Sequence, residues 1–331
     1  MKNFVLLEHA VESSSKYTVV DWNLGSACNY ACSYCPASLH DGSSPWPDYD
    51  TATAFCDYVC RHYESLGQKV FFQLSGGEVT MYRRITDLVE FLRTLGAEVG
   101  VISNGSRSAI WWDQFARHLN MAVFTYHIEY ALLRHFIQVV RGVSNRTRTH
   151  VNVTLLPARF EECVKNAVLI AENCPQVTIT LKPLLIDFGS VMYQYTEAQR
   201  AAMLSWPERQ LTNPAPRCRG LMRKVYDDGS TELVKAAHLI VRSENRWRGW
   251  NCNIGIELLS VAKDGYVYRG VCRQGGCLGH IRDKQLLLPS DSIRCDKEVC
   301  HCVSDVLTSK RNLDVPAPAA PYRIPAMGVG G

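Results

Sequence analysis

Cys28-Asn-Tyr-Ala-Cys32-Ser-Tyr-Cys35 sets three thiols in one polar loop, directly behind the extended apolar run from Tyr17 to Leu24. With three and then two residues between them, these thiols can converge on one inorganic centre without help from elsewhere. A structural zinc site normally takes four protein ligands, and an iron–sulfur cube also takes four. A lone three-cysteine loop therefore implies an iron left open to an exogenous ligand, and that open position is where chemistry would occur.

The chain of 331 residues is 47% hydrophobic, enough for one large domain and a smaller one. Its start has only a short apolar patch, Phe4 to Leu7, before Glu8 and His9, which is the pattern of neither a signal peptide nor a membrane anchor. Fourteen cysteines without an export signal point to metal thiolates in a reducing cytoplasm rather than to disulfides. A net charge of +4 excludes nothing by itself and does not announce a nucleic-acid binder. Basic residues concentrate in Arg134–Arg148 and in Arg217–Arg248, where Trp247 and Trp250 interleave with Arg246 and Arg248. Aromatics among arginines either stack on a nucleotide or pack a small subdomain, and packing is the commoner use.

Taken in order, the chain predicts strands at 17–24, 70–74, 99–103, 122–129, 151–156 and 177–181, separated by helices at about 49–66, through 95, at 111–119, through 141 and at 160–173. Six strands alternating with helices at this spacing are βαβ units with a parallel sheet, either an open doubly wound sheet or a partial barrel. Alternation along Phe124–Glu129 places Thr125, His127 and Glu129 on one strand face, and Asn152, Thr154 and Lys182 share that logic on the next two strands. A lysine ending an apolar strand is costly unless it meets an anion, so Lys182 is expected to face a carboxylate or phosphate. Beyond Phe188 come a capping box at Thr196–Gln199, a proline-marked linker, and a β-hairpin at 222–226 and 231–234.

The cysteine loop resembles the signature of the radical S-adenosylmethionine (SAM) superfamily, Cys-x3-Cys-x-aromatic-Cys, with Tyr34 as the aromatic. The resemblance implies a partial (β/α)6 TIM-like barrel with its active site at the strand C-termini. It also implies that Cys28, Cys32 and Cys35 hold a [4Fe–4S] cluster whose fourth iron binds SAM. Gly76-Gly77-Glu78 lies where the family has its Gly-Gly-Glu turn, with the glycines approaching the methionyl end of SAM and Glu78 facing its ammonium. Ser103-Asn104-Gly105 resembles a further SAM-contacting segment, though a plain turn reads equally well. His127, Glu129 and Lys182 are then the candidate catalytic residues.

Cys252, Cys272, Cys277, Cys295, Cys300 and Cys302 form a second group, with a hairpin turning at Lys263-Asp-Gly265 between the first two. This resembles the SPASM and twitch extensions, which bind auxiliary clusters, and the departures from the full SPASM pattern favour one auxiliary [4Fe–4S] cluster. Cys252 and Cys272 with two of Cys295, Cys300 and Cys302 are the expected ligands. Zinc is the alternative occupant. Cys56, Cys60, Cys163, Cys174 and Cys218 are expected to pack.

The organisation so read is a lead-in (1–16), a radical SAM partial barrel (17–187), a connector and hairpin (188–250), a C-terminal auxiliary-cluster subdomain (251–313) and a disordered tail (314–331). The expected function is reductive cleavage of SAM and hydrogen abstraction from a polar or phosphorylated small molecule, including a nucleotide or modified base. Flavodoxin or ferredoxin would supply the electron, in the cytoplasm and with no membrane partner. The alternatives are a maturase of a ribosomally made peptide, and a non-catalytic iron–sulfur or zinc protein that binds nucleic acid.

Overall fold

A computed structural model describes residues 2–189, 191–207 and 220–315. Arg217, Cys218, Arg219, Pro214, Pro216 and the tail from 316 onward lie outside the described residues.

The chain opens with β1 (Phe4–His9) and continues into β2 (Tyr17–Asn23), the cysteine loop and α1 (Tyr49–Ser65). Asp48 starts α1 as its N-cap, accepting a hydrogen bond from Thr51 N at 2.9 Å. Then come β3 (Lys69–Ser75), α2 (Ile85–Thr94), β4 (Glu98–Ser103), α3 (Ala109–Phe115), β5 (Met121–Tyr126), α4 (Leu133–Ser144), β6 (Arg148–Leu155), α5 (Phe160–Asn173) and β7 (Thr178–Pro183). Strands β2 to β7 pair in sequence order and in parallel, the six-stranded partial barrel. Alternate residues of each strand pack outward against the helices, as Trp22 does on Phe55 and as Phe124 and Tyr126 do on Phe136. The other residues face the lumen. Cys56, Cys60, Cys163 and Cys174 are buried in the helix–sheet core.

After α6 (Glu197–Ser205), which begins at the Thr196/Gln199 capping box, the described chain resumes in the hairpin β8 (Met222–Tyr226) and β9 (Thr231–Val234), and then α7 (Ala236–Val241). Next are β10 (Asn251–Cys252), β11 (Leu258–Val261), β12 (Tyr266–Tyr268), β13 (Cys277–His280), β14 (Ile293–Arg294), α8 (Val303–Val306) and β15 (Lys310–Arg311).

Two findings go beyond the sequence reading. The first residues, expected as a lead-in, supply β1, an inner strand of a second sheet ordered β14-β10-β15-β1-β8-β9. The C-terminal hairpin does not stand apart either, because β11 pairs in parallel with β2 and extends the barrel sheet through β12 and β13. Cys252 lies on β10 and Cys272 in the turn between β12 and β13, and the two pack in one cluster. Trp247 is fully buried, Trp250 lies 4.9 Å from the Phe4 ring, and Arg248 pairs with Glu298, so the basic aromatic stretch is used for packing.

Candidate active site

The cysteine loop leaves β2 at the C-terminal end of the barrel and is fastened from the far side by the end of β5. Strand β5 stops at Tyr126, and His127 to Tyr130 form a turn in which Tyr130 N and Ala131 N donate to His127 O at 3.1 and 2.9 Å. The expected alternation of Thr125, His127 and Glu129 along one strand therefore ends early. Glu129 instead reaches the loop, accepting hydrogen bonds from Ser33 N (2.7 Å) and the Ser33 hydroxyl. Tyr130 OH donates to Ala31 O at 3.0 Å, and the Tyr130 ring stacks on Tyr30 at 5.2 Å. Between Cys32 and Cys35, Tyr34 is buried with its hydroxyl 2.8 Å from His127 Nδ1 and 3.2 Å from Thr154 Oγ1.

His127 and Glu129, expected as catalytic groups, thus hold the loop that carries the thiols. Burial, and then the Lys182 charge, lower the His127 pKa to about 4, so the imidazole is neutral at pH 7. Ser33, Tyr30 and Tyr130 were not singled out from sequence, because their partners are about a hundred residues away.

The three thiols differ in exposure, Cys32 being buried and the other two half-buried. Burial pushes Cys28 up and pushes Cys32 and Cys35 to about 11, while N–H groups of Tyr30 (3.4 Å from Cys28 Sγ) and Asn104 favour charge on Cys28. Desolvated thiols turned into one loop, with N–H donors at a sulfur, fit a group that supplies positive charge of its own, as an iron–sulfur cluster does.

Gly76-Gly77-Glu78 packs against the entry to this loop. Gly77 N and Glu78 N donate to Gly25 O and Ala27 O, both at 2.8 Å, in the segment that enters Cys28. A Cβ on Gly77 would fall 2.3 Å from Ala27 O, so the close approach that requires glycine is to the chain's own backbone. Glu78 is buried and its carboxylate accepts four hydrogen bonds, three on Oε1 and one on Oε2. It accepts from Thr80 N (3.1 Å), Thr80 Oγ1 (2.7 Å), Ser103 Oγ (2.7 Å) and Asn104 N (2.7 Å). Burial raises the Glu78 pKa against the pull of these bonds. Asn104 Nδ2 continues the network to Asn29 Oδ1 in the cysteine loop at 2.9 Å. Gly76, Gly77, Glu78, Ser103 and Asn104 are therefore brought together as expected, as one network joining the ends of β2, β3 and β4.

Polar side chains line the lumen below the loop. Registers Thr125–Asn152–Thr180 and Thr154–Lys182 run across β5, β6 and β7. Lys182 has Cys302 and Asp21 as its nearest electrostatic partners, and burial lowers its pKa. Neither forms an ion pair with it, and Asp21 is engaged by the Ser304 hydroxyl.

Of the C-terminal cysteines, Cys252 and Cys272 lie within electrostatic reach of each other, and each is within reach of both Cys295 and Cys300. Their backbones are fixed individually: Cys295 N donates to Trp250 O (2.8 Å), Cys300 N to Asn245 O (2.9 Å), and Cys272 N to Asp305 (2.7 Å). Cys302 is drawn away, facing Asp305, Asp21 and Lys182 at the lumen. Cys277 is exposed on β13. Among the described residues, no three His, Cys, Asp or Glu side chains converge as ligands of a single metal ion. None of the described helices is long and apolar enough to cross a membrane.

A six-stranded parallel partial barrel with a three-cysteine loop after its first strand defines the class. Residues 22–168, a little under half of the chain, match the Radical SAM superfamily model. That family implies SAM and a [4Fe–4S] cluster. Two curated relatives are similar, both named S-adenosylmethionine-dependent nucleotide dehydratase. That of Psychrobacter lutiphocae is 29% identical over 28% of this chain and 35% of its own length. That of Pseudoalteromonas ulvae is 29% identical over 33% of this chain and 40% of its own length. Both matches span well under half of those proteins. Among solved structures, Streptococcus suis SuiB bound to S-adenosylmethionine superposes with TM-score 0.54 at 10% identity, over 83% of this chain and 64% of that one. Native anSMEcpe with bound AdoMet gives 0.50 at 13% identity, over 81% and 78%. These two share the fold.

Proposed function

We propose that the protein is a radical SAM enzyme acting on a phosphorylated small molecule of the nucleotide class. The observation that carries this reading is Lys182, a lumen ammonium with no ion pair in the described structure, beneath the cluster loop and among Thr125, Asn152, Thr154 and Thr180. A desolvated cation in a polar lumen is matched by an anionic ligand, and phosphate meets that need. The printed names of the two partial relatives support a nucleotide. The basic aromatic connector does not contribute, since its tryptophans are used for packing.

When bound, the reduced cluster supplies the electron that cleaves SAM to the 5′-deoxyadenosyl radical. Cys28, Cys32 and Cys35 would hold that cluster, with Glu129, Tyr130 and Tyr34 fixing their loop and the Glu78 network fixing its entry. Neutral His127 keeps the Tyr34 hydroxyl in place without adding charge, and Lys182 would orient the substrate phosphate. Flavodoxin or ferredoxin is the expected donor. Cys252, Cys272, Cys295 and Cys300 would hold a second [4Fe–4S] cluster, a reading supported by the charge couplings among them, with zinc as the alternative occupant.

The test is anaerobic reconstitution with dithionite, SAM and a panel of nucleoside mono-, di- and triphosphates beside the matching nucleosides. Phosphorylated members should stimulate 5′-deoxyadenosine release. Lys182→Met should raise their KM at least tenfold while leaving substrate-free SAM cleavage in place. Equal response to nucleosides and nucleotides would overturn the substrate class, and absence of 5′-deoxyadenosine would overturn the radical reading.

A further inference from the structure

Lys310 is 2% exposed, and its ammonium donates to three backbone carbonyls, Asp305 O (2.5 Å), Thr308 O (2.7 Å) and Val306 O (3.3 Å). These are the last carbonyls around α8, so one reading of Lys310 is a helix C-cap. The surroundings give it a second task. In the pairing of β10 with β15, Lys310 lies directly across from Cys252, which puts the two side chains on one face of the sheet. The same ammonium sits 4.6 Å from the centroid of buried Trp247, which packs in one cluster with Cys300. Asp305, the carboxylate nearest to it, is occupied in accepting from Val271 N (2.9 Å) and Cys272 N (2.7 Å). Lys310 makes no salt bridge with it.

The ammonium is bonded only to backbone carbonyls, and the groups its charge acts on are the Asp305 carboxylate and the sulfurs of Cys252 and Cys300. A buried cation so placed is expensive unless anions share its low-dielectric surroundings. Four thiolates around a cube are such an anion, and reduction adds one further negative charge to it. Cluster potentials respond to local charge, hydrogen bonding and solvent exposure. We infer that Lys310 sets the reduction potential of the centre held by Cys252, Cys272, Cys295 and Cys300, its fixed positive charge stabilising the one-electron-reduced cluster. Asp305, whose charge acts on Cys252, Cys272 and Cys300, opposes it. This rests on the auxiliary-cluster reading above.

The experiment uses the full chain reconstituted anaerobically. Iron and sulfide are counted first, with about eight of each expected per chain and about four in a Cys28/Cys32/Cys35→Ala variant. A count that stays near four in the wild type, or bound zinc, ends the auxiliary-cluster reading whatever Lys310 does. With the count established, dithionite titration in that triple-variant background, followed by electron paramagnetic resonance, reads the auxiliary couple alone.

Lys310→Met should weaken the preference for the reduced cluster at least tenfold, a fall of about 59 mV for one electron. Lys310→Arg should hold the wild-type value and Asp305→Asn should move it upward. A cap-only residue leaves the potential where it was, and a Lys310→Met shift below twofold with the cluster intact overturns the inference. Should Lys310→Met and Lys310→Gln fail to retain the second cluster, Lys310→Arg decides. Retention there means that the charge is required, and loss there means that packing alone was at stake.

Discussion

Glu129 and Ser33 are joined by a two-pronged contact, in which one carboxylate accepts both the backbone N–H (2.7 Å) and the hydroxyl of the residue beside Cys32. The contact is partly exposed, so its worth is modest, about 1 kcal/mol. Glu129→Ala should therefore leave the fold intact and speed iron release from the Cys28 site roughly fivefold under a chelator challenge. Glu129→Gln, which keeps an acceptor, should lose less. An unchanged release rate in Glu129→Ala would assign the clamp to Tyr130 and Tyr34.

Gly77 and Gly142 offer one substitution with opposite signs. A Cβ on Gly77 meets Ala27 O at 2.3 Å, so Gly77→Ala must displace the entry to the cysteine loop, at about 1–3 kcal/mol and with loss of bound iron. A Cβ on Gly142, inside α4, meets nothing within 4 Å, so Gly142→Ala should stabilise by about 0.5–1 kcal/mol. Urea midpoints of the two variants check both.

His127 gives the pH dependence. Its folded pKa, about 4, lies below the ordinary 6.5, so between these values the unfolded chain binds the proton and the folded chain does not. The stability from this residue is full above pH 6.5 and is lost as pH falls towards 4. For Glu257, burial pushes the pKa up, but the hydrogen bond and charge of His9 (3.0 Å) hold it down at about 2. Its contribution is present above the ordinary 4.5 and disappears towards pH 2. Urea unfolding from pH 8 to pH 4 should show falling stability below 6.5, and His127→Gln, measured beside the wild type, should remove most of that slope.

Cys302 separates from the other C-terminal thiols. Cys302→Ser should keep about eight irons per chain, whereas Cys295→Ser and Cys300→Ser should each lose about four. Loss of iron from Cys302→Ser with retention in Cys300→Ser would exchange their assignments.

Much of the barrel was legible before any coordinates. Periodicity located β2 to β7 to within a few residues, the Thr196/Gln199 box acts as the cap its spacing suggested, and the three-cysteine loop lies after the first barrel strand. What was not legible shares a cause. Glu129 looked like a strand residue because alternation continues past Tyr126, where a turn held by His127 O takes over. The donors to Glu78 come from Thr80, Ser103 and Asn104, the last two a strand away, so its network could not be read locally. For Trp247 among arginines, stacking and packing were both open with packing the commoner use, and the fold buries it.

The sequence by itself determined the alternation of strands and helices, the helix starts and the family signature at Cys28, Cys32 and Cys35, because φ/ψ preference, capping and side-chain period act within a few residues. Only the tertiary structure decided that Glu129 and Tyr130 hold that loop, that Glu78 accepts from Thr80, Ser103 and Asn104, that β1 and β11 complete the two sheets, and that Cys302 comes near Asp21 and Lys182. Those outcomes depend on strand order and register between segments far apart in the chain, for which no local preference carries information.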